Sequence, residues 1–154
     1  MRLLVISDVH ERPGALWRVL EEQPNINGVI FLGDGLRHAE NAAREYPDLP
    51  FYMVPGNCDL TADLPAAREE TFGGKRVFFT HGHKYRVKYG MDMLMQEAVS
   101  RRADIVLFGH THRPYEHYED GIHYLNPGSL MYGGTYGYVD ITPAGILTGI
   151  VELK

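Results

Sequence analysis

The sequence contains a single cysteine, Cys58, among its 154 residues. An intrachain disulfide needs two cysteines and a thiolate zinc cluster needs several, so both are excluded. Nothing in this cysteine usage indicates an oxidising compartment. We therefore expect the protein to reside in the cytoplasm.

Long hydrophobic runs are equally scarce. The first apolar run, Leu3 to Ile6, is too short for the core of a signal peptide. No stretch approaches the roughly 20 apolar residues that a helix needs to span a membrane. These absences predict a soluble chain with no targeting segment and no membrane span.

Positive charge is also in short supply, because 15 Lys and Arg residues face 20 Asp and Glu residues and the formal net charge is −5. Proteins that coat a nucleic-acid backbone neutralise many phosphates with Lys and Arg, so a long nucleic acid is not expected as a partner. A small phosphate ligand is compatible with this charge. With 44% hydrophobic and 23% charged residues, the composition is that of an ordinary globular protein, and we predict one domain over residues 1–154.

Short apolar runs rich in β-branched and aromatic residues recur along the first two thirds of the chain. They have the length and character of buried strands. The runs are Leu3 to Ile6, Val29 to Leu32, Phe51 to Val54, Val77 to Phe79 and Ile105 to Phe108. Segments with helical spacing lie between them, such as Met91, Leu94, Met95 and Ala98. This alternation predicts an α/β layered fold with mostly parallel strands, in successive βαβ units.

The pattern changes after about residue 110. Helical spacing stops, and strand-like runs follow at 115–118, 122–125, 136–141 and 146–153. Asp120 and Gly121 form a dipeptide that is typical of a tight hairpin turn between the first two runs. We predict antiparallel strands for this C-terminal part.

Polar residues that can bind metals follow each of the five apolar runs. The segments are Asp8-Val9-His10, Gly33-Asp34-Gly35, Gly56-Asn57-Cys58-Asp59, His81-Gly82-His83 and Gly109-His110-Thr111-His112. In open α/β sheets ligands bind outside the carboxyl ends of the strands, so these loops should meet at one crevice. In extended chain residues i and i+2 point to the same side, which would let each Asp-x-His or His-x-His pair face one site.

Carboxylates, imidazoles and an amide oxygen suit borderline-hard divalent ions. Manganese is the expected metal, and nickel, iron, zinc, cobalt and magnesium are alternatives. In two-metal hydrolases the paired ions share and acidify a water and clamp a phosphoryl group. Hydrolysis of a phosphate ester is therefore the predicted chemistry.

The ordered series Asp-x-His, Gly-Asp, Gly-Asn, His-Gly-His and Gly-His-Thr-His resembles the calcineurin-like metallophosphoesterase superfamily. The Gly-Asn-Cys-Asp variant is similar to the small single-domain phosphodiesterase branch, and the resemblance runs from Asp8 to Ser129. Each short motif is weak by itself, whereas five of them in order are a specific pattern. The resemblance implies a two-sheet β-sandwich flanked by helices, which the alternation alone does not distinguish from a single doubly wound sheet.

The resemblance also implies a role for each position. It assigns seven metal ligands: Asp8, His10 and His112 for one ion, Asn57, His81 and His110 for the other, and Asp34 as the bridge between the two. A hydroxide between the ions would attack phosphorus in line with the leaving oxygen. The substrate would be a small phosphodiester, including a nucleotide-like one.

One departure from the family pattern concerns the proton donor. Many members of the superfamily carry a His after the Asn, whereas this chain has Cys58. A thiol is a poor substitute, so we expect either a good leaving group or a proton supplied by His83 or by a metal-bound water. Asp34, Asn57, Cys58 and His83 are therefore the catalytic candidates, and a diesterase is favoured over a broad monoesterase.

Simpler interpretations of the same residues stay open. Asp8 could cap the helix that follows it, and the histidines could be hydrogen-bonded residues of the core. The alternating cations at 84, 86 and 88 could form a basic stripe that guides a phosphate, or merely a solvated face. Tyrosines near the C-terminus, Tyr132 among them, could stack on a nucleobase, although strands favour tyrosine anyway.

Asn126, Ser129 and Asp59 are expected to form turns beside the site and could also order a metal ligand. For the whole chain, the main alternative is a protein-interaction scaffold on the same fold, as in the retromer subunit that resembles this family but has lost catalytic ligands. A monoesterase or protein phosphatase is a third option. The sequence leaves both a monomer and a homo-oligomer open.

Overall fold

The structure of the protein, a computed structural model, describes residues 1–60 and 62–154. The described residues form two five-stranded sheets with helices outside them. The strands are β1 Arg2–Ile6, β2 Gly28–Phe31, β3 Phe51–Met53, β4 Ala67–Phe72, β5 Lys75–Thr80, β6 Ile105–Leu107, β7 Pro114–Glu119, β8 Ile122–Pro127, β9 Thr135–Thr142 and β10 Gly145–Glu152. The α-helices are α1 Pro13–Glu22, α2 Leu36–Glu45 and α3 Asp92–Ser100, and a short 3₁₀ helix covers His83–Tyr85.

The first sheet has the strand order β10-β9-β1-β2-β3, and the second has the order β4-β5-β6-β8-β7. Each sheet contains three neighbouring parallel strands: β1, β2 and β3 in the first, and β5, β6 and β8 in the second. The remaining strands pair antiparallel. Parallel strands direct their carboxyl ends to one edge, so each sheet gathers several loops at one place.

Alternation along the strands divides the core into three parts. Leu3 and Val5 of β1 pack in the cluster that contains Phe79 and Leu107 of the second sheet, so this cluster lies between the sheets. Leu4, on the other face of β1, packs in a separate cluster with residues of α1 and α2. A third cluster joins the outer face of the second sheet to α3. The chain is therefore a two-sheet sandwich flanked by helices, as the resemblance to the superfamily implies.

The helices follow from local sequence. Pro13 occupies the first turn of α1, where its fixed φ suits a helix and its missing N–H is no loss. Leu16, Val19 and Leu20 then recur on one face and are buried against the first sheet. Fully burying a leucine such as Leu16 contributes about 2 kcal/mol. Asp8 lies five residues before α1, whose N-cap is Arg12, so Asp8 is not the cap of this helix.

Two predictions about the strands are corrected. The edge strand β4 is absent from the prediction because its sequence, Ala-Arg-Glu-Glu-Thr-Phe, has no apolar run, and it pairs antiparallel with β5. The C-terminal part is not wholly antiparallel, because β8 lies parallel to β6. The hairpin predicted at Asp120 and Gly121 joins β7 to β8, and both residues have positive φ, 52° and 82°. A single domain over residues 1–154 stays a prediction.

Among the described residues, no helix is both long and apolar enough to cross a membrane.

Candidate metal centre

The loops that follow β1, β2, β3, β5 and β6 meet at one end of the sandwich. Backbone hydrogen bonds join them: the N–H of Asp8 donates to the carbonyl of Gly33 at 3.0 Å, and the N–H of His10 donates to that of Asp34 at 3.0 Å. The N–H of Gly109 donates to the His81 carbonyl at 2.8 Å. All seven predicted metal ligands lie in these loops, as the strand-end argument requires.

The backbone at this end is unusual. Among the described residues, eight non-glycine residues have positive φ, and five of them are predicted ligands. These five are Asp8, His10, Asp34, His110 and His112, with φ between 46° and 70°. The left-handed region costs about 1 kcal/mol or more for an ordinary residue, so strain is concentrated here, as it often is at functional sites.

The prediction that extended chain places the paired ligands on one side is wrong. Asp8 and His10, like His110 and His112, do not share a face through extended chain, because each of these residues has a left-handed backbone. Each pair nevertheless projects into the same site, through left-handed backbone at both ligand positions rather than through a strand.

One group of donors surrounds Asp8, and we call Asp8, His10 and His112 the Asp8 cluster. Asp8 is fully buried, and its Oδ1 lies 3.1 Å from His112 Nε2 and 3.5 Å from His10 Nε2. The two imidazole nitrogens are 3.4 Å apart. Asp8 Oδ2 accepts hydrogen bonds from Ser7 Oγ and from the His110 N–H, whereas the buried Oδ1 has no hydrogen-bond partner among the described residues.

A second group surrounds His81, and we call Asn57, His81 and His110 the His81 cluster. Nδ1–H of His81 donates to the carbonyl of Leu32 at 2.6 Å, so Nε2 of the neutral ring carries a free lone pair. His81 Nε2 lies 3.0 Å from Asn57 Oδ1 and 3.2 Å from His110 Nδ1. Electron-rich atoms therefore face one another, an arrangement that needs a proton or a cation between them.

Asp34 lies between the two clusters. Its Oδ2 is 3.3 Å from His81 Nε2 and 3.8 Å from His10 Nε2, so one oxygen faces both clusters. The other oxygen, Oδ1, accepts a hydrogen bond from the N–H of Cys58 at 2.8 Å. This is the position that a carboxylate bridging two ions would need.

The donors fit divalent cations. Two ligand atoms bound to one ion at about 2.1 Å in a tetrahedral arrangement lie about 3.4 Å apart, which matches the separations within both clusters. Three overlapping groups of side chains bring donor atoms within 4.8 Å of one another: Asp8 with His10 and His112, Asp8 with Asp34 and His81, and His10 with Asp34 and Cys58. The buried, unpartnered Oδ1 of Asp8 is further support, because a bound cation would satisfy it.

The charges of the site favour a cation in the same place. Burial lowers the pKa of His81, but the hydrogen bond to Asp34 and the charges of Asp8 and Asp34 outweigh it, so the pKa lies above 6.5. Burial raises the pKa of Asp34, yet the hydrogen bond and charge of His81 hold it well below the usual range. Burial and the charges of His81 and Lys88 lower the pKa of His110 to about 4, so its ring is neutral at pH 7.

Residues beside the site fix the loops. The Asp59 carboxylate accepts four backbone N–H groups, from Asp34 and Gly56 at 2.8 Å and from Gly35 and Leu36 at 3.1 Å. It thereby ties the Asn57 loop to the Asp34 loop and caps the start of α2.

The end of β8 and the turn after it hold the remaining loops. Asn126 Nδ2 donates to the carbonyl of Gly109 and to Thr111 Oγ1, both at 3.0 Å. Ser129 Oγ donates to the carbonyl of Asp8 at 2.8 Å. These contacts agree with the turns predicted beside the site.

Cys58 and His83, the two catalytic candidates that are not predicted metal ligands, lie at the rim of the site. The exposed thiol Sγ of Cys58 is 3.7 Å from Asn57 Nδ2. The His83 ring centroid lies 5.5 Å from that of His81 and 5.9 Å from that of His110, and its buried Nδ1 has no hydrogen-bond partner among the described residues. His83 also begins the 3₁₀ helix, and Arg86 has a φ of 54°, so the predicted extended basic stripe does not form.

Sequence reasoning missed the contact of Tyr132 with the Asp8 cluster. The only sequence signal is its position three residues after Ser129, in the turn that follows the Asn-Pro-Gly-Ser segment. In the fold its ring packs against the rings of His112 and His10. It therefore lines the ligand set, a role distinct from the predicted stacking on a nucleobase.

The fold and this donor set define a metallophosphoesterase, and the sequence agrees. The family model of the calcineurin-like phosphoesterase superfamily domain matches residues 1–142. The chain therefore belongs to this superfamily, whose members use divalent metals.

Among its relatives, the "Probable metallophosphoesterase YsnB" of Bacillus subtilis is 29% identical over 131 residues, covering 84% of this chain and 75% of that protein. The "Phosphodiesterase YfcE" of Escherichia coli is 30% identical over 168 aligned positions, covering 91% of this chain and 88% of the relative. The "Vacuolar protein sorting-associated protein 29" of Schizosaccharomyces pombe is 30% identical over 134 residues, covering 84% of this chain and 72% of that protein.

Solved structures have the same fold. A predicted phosphoesterase from Streptococcus pneumoniae superposes with a TM-score of 0.78 at 23% identity and covers 97% of each chain. The Vps29 of Entamoeba histolytica, solved in complex with zinc, superposes with a TM-score of 0.76 at 20% identity and covers 98% of each chain. At these identities the likeness concerns the fold.

Proposed function

We propose that this protein is a phosphodiesterase that requires two divalent metal ions and hydrolyses a small phosphodiester. The observation that carries the proposal is the arrangement of seven donor side chains in two clusters that share Asp34. The superfamily and the relative named as a phosphodiesterase support a hydrolase acting on phosphoester bonds.

In this proposal the Asp8 cluster holds one ion, the His81 cluster holds the other, and Asp34 bridges them. Mixed carboxylate, imidazole and amide donors favour manganese, with nickel, iron, zinc, cobalt or magnesium as substitutes. When bound, the ions would acidify a shared water and neutralise charge on the phosphoryl group. The chain itself supplies imidazole, amide and carboxylate donors in fixed positions, so little reorganisation is needed before the substrate binds.

The proton for the leaving oxygen comes from the rim. Burial and the charge of Asp34 raise the pKa of the Cys58 thiol, so it retains its proton at neutral pH. Burial and the charge of His81 lower the pKa of His83, so its ring is neutral and carries one N–H. A neutral imidazole would have to leave as an imidazolate, so we propose that His83 donates the proton from its minor imidazolium form, which is a stronger acid than the Cys58 thiol.

Leaving groups of different basicity test this role. A nitrophenolate departs without protonation, whereas an alkoxide needs a proton in the transition state. His83→Gln should lower turnover of an alkyl phosphodiester about 100-fold while lowering that of bis(p-nitrophenyl) phosphate much less. Cys58→Ala is compared in the same way, and a larger selective loss of alkyl ester turnover in this variant would identify the thiol as the donor. A variant that loses turnover of both esters equally would refute a donor role for the residue it replaces.

The central test is turnover of bis(p-nitrophenyl) phosphate by protein loaded with manganese. Asp34→Asn should reduce kcat by more than roughly 100-fold, since even outer-shell partners of metal ligands cost 10–100-fold. Asp48→Asn, at an exposed position in the loop after α2, is the matched control. Absence of turnover with any tested metal, or full activity of Asp34→Asn, would refute the proposal. A higher kcat/KM for p-nitrophenyl phosphate would instead identify a monoesterase.

A second candidate function is a protein-interaction scaffold, favoured by the 30% identity to a vacuolar protein sorting-associated protein. The complete donor set argues against it, because a scaffold has no need of seven converging ligands. Purified protein that binds partners yet contains neither metal nor activity would favour the scaffold. We also propose a cytoplasmic location and a nucleotide-like substrate, and leave both a monomer and a homo-oligomer open.

A further inference from the structure

Two cavities adjoin the candidate metal centre and share no lining residue. The first, about 560 Å³, reaches the donor set at His10 and Cys58. Its lining is rich in carboxylates, which are Glu11, Glu40, Asp59 and Asp63, against the single arginine Arg37. A substrate group with a second negative charge would be repelled there.

The second cavity, about 520 Å³, is lined by Thr111, the residue between the predicted ligands His110 and His112. We call it the Lys88–Arg113 cavity. Its apolar wall comes from Val87 and Met91 in the loop before α3, from Phe108 just after β6 and from Tyr115 on β7. The wall is partly aromatic, and Tyr115 packs against Phe108 with 5.8 Å between ring centroids. Such a surface suits a flat apolar group.

The charge of the Lys88–Arg113 cavity is opposite to that of the first. Lys88 and Arg113 line it, no carboxylate does, and neither cation forms a salt bridge with any described residue. These two cations give the cavity a positive charge in a chain whose net charge is −5. The cavity residue Val87 lies beside Gly82, which follows the predicted ligand His81: a Cβ at Gly82 would be 2.8 Å from Val87 Cγ2.

We propose that the Lys88–Arg113 cavity binds one ester group of the phosphodiester, and that this group joins an aromatic ring to a second anionic group. A phosphorylated nucleoside has this chemistry. The proposal rests on the proposed phosphodiesterase function and specifies its substrate class. The apolar wall contacts the ring, and the two cations contact the second anion while the diester phosphate lies at the metal centre.

Two chromogenic substrates isolate the second anion: the p-nitrophenyl ester of thymidine 5′-phosphate, with and without a 3′-phosphate. Two exposed charge contacts should raise kcat/KM for the phosphorylated substrate about tenfold in the manganese-loaded protein. The double variant Lys88→Gln/Arg113→Gln should reduce this ratio to near one. The charge-matched control Lys75→Gln/Arg44→Gln, whose residues line neither cavity, should retain it. An unchanged ratio in the first variant, or an equal loss in the control, would overturn the proposal.

Equilibrium binding separates this proposal from the catalytic one. Calorimetry should show that thymidine 3′,5′-bisphosphate binds the manganese-loaded protein about tenfold more tightly than thymidine 5′-phosphate, and that Lys88→Gln/Arg113→Gln removes the advantage. If this binding advantage is found but no diester is turned over, the proposed phosphodiesterase function is refuted and the proposed binding role of the cavity is retained. Turnover without the binding advantage would refute the cavity alone, and absence of both would refute both.

The aromatic part is tested with propane-1,3-diol bisphosphate, which keeps two phosphates and lacks both the base and the sugar. Stacking and apolar contact with one base contribute roughly tenfold or more to affinity. We therefore expect the propanediol compound to bind at least tenfold more weakly than thymidine 3′,5′-bisphosphate. Equal affinities would overturn the assignment of a ring to the apolar wall.

Discussion

The ring of Tyr132 stacks on the imidazole of His112, with 4.8 Å between ring centroids and 18° between their planes. The same ring meets His10 edge-on at 5.4 Å. Ser129 Oγ accepts a hydrogen bond from the Tyr132 N–H at 3.0 Å, so the turn that carries Tyr132 is itself anchored. A side chain that is 63% exposed thus limits the motion of two candidate ligands.

This stack predicts an effect on metal affinity. Tyr132→Ala should weaken manganese binding in the Asp8 cluster about tenfold, because the two imidazoles lose the surface that orients them. Tyr132→Phe keeps the stack and should bind manganese as the unaltered protein does. Electron paramagnetic resonance of free manganese measures both affinities. Tyr89→Ala removes an even more exposed tyrosine and serves as control; a matching loss there would contradict the prediction.

Gly56 approaches the bridging position so closely that a methyl group cannot be added. A Cβ at Gly56 would lie 2.1 Å from Asp34 Oδ1 and 2.6 Å from the Asp34 nitrogen. Gly56→Ala should therefore displace Asp34 and reduce kcat/KM by roughly 100-fold, as a shift of about 1 Å can do. A Cβ at Gly14 meets nothing within 4 Å, so Gly14→Ala should leave kcat/KM unchanged. Equal kinetics for the two variants would contradict this prediction.

Asp59 joins two loops through four N–H groups, so its charge should stabilise the fold. Asp59→Asn replaces one acceptor oxygen with an NH₂ group that faces two N–H donors. We expect the free energy of unfolding to fall by about 2–3 kcal/mol, the cost of leaving such donors without acceptors. Urea unfolding measures this change. The control Asp63→Asn changes a nearby exposed carboxylate, and it should lower the free energy of unfolding by less than about 0.5 kcal/mol.

A pH dependence away from the site comes from Arg2 and Asp140. Two hydrogen bonds of 2.7 Å link them, and this contact with Arg2 lowers the pKa of Asp140 below 3.8. A carboxyl group with a depressed pKa stabilises the fold above its unfolded pKa and loses that contribution as pH falls through the folded value. Because the pair is partly exposed, its contribution is about 1 kcal/mol or less.

Asp140→Asn should therefore lower the free energy of unfolding at pH 7 and at pH 5 by the same amount. The difference from the unaltered protein should shrink as the pH falls below about 4. Urea midpoints at pH 7, 5 and 3.5 measure this trend. A difference that grows on acidification would show that Arg2 does not lower the pKa of Asp140.

Much of the fold follows from local signals in the sequence. The apolar runs mark buried parallel strands, and Asp120-Gly121 marks its hairpin because both residues tolerate positive φ. The edge strand β4 is hidden because solvent on one side permits Arg68, Glu69 and Glu70, so no apolar run forms. Gly73 and Gly74, both with positive φ, are the turn signal that could have revealed it.

Strand pairing is less accessible than strand position. Five of the six residues of β8 are buried, the pattern of a strand inside a parallel sheet, yet its hairpin with β7 predicts a wholly antiparallel tail. The predicted site residues could be found because their chemistry is encoded by type. The left-handed backbone of these residues could not be predicted, because Asp and His occur in many backbone conformations. Only the contacts among the five loops select the left-handed one.

Each donor cluster draws on both sheets of the sandwich. Asp8, His10 and Asn57 follow strands of the first sheet, whereas His81, His110 and His112 follow strands of the second. An ion in either cluster would therefore cross-link the two sheets at one end, in the way that a disulfide joins distant segments, in a chain whose lone cysteine cannot do so. The supply of metal would then govern how long the folded protein survives proteolysis as well as how fast it works.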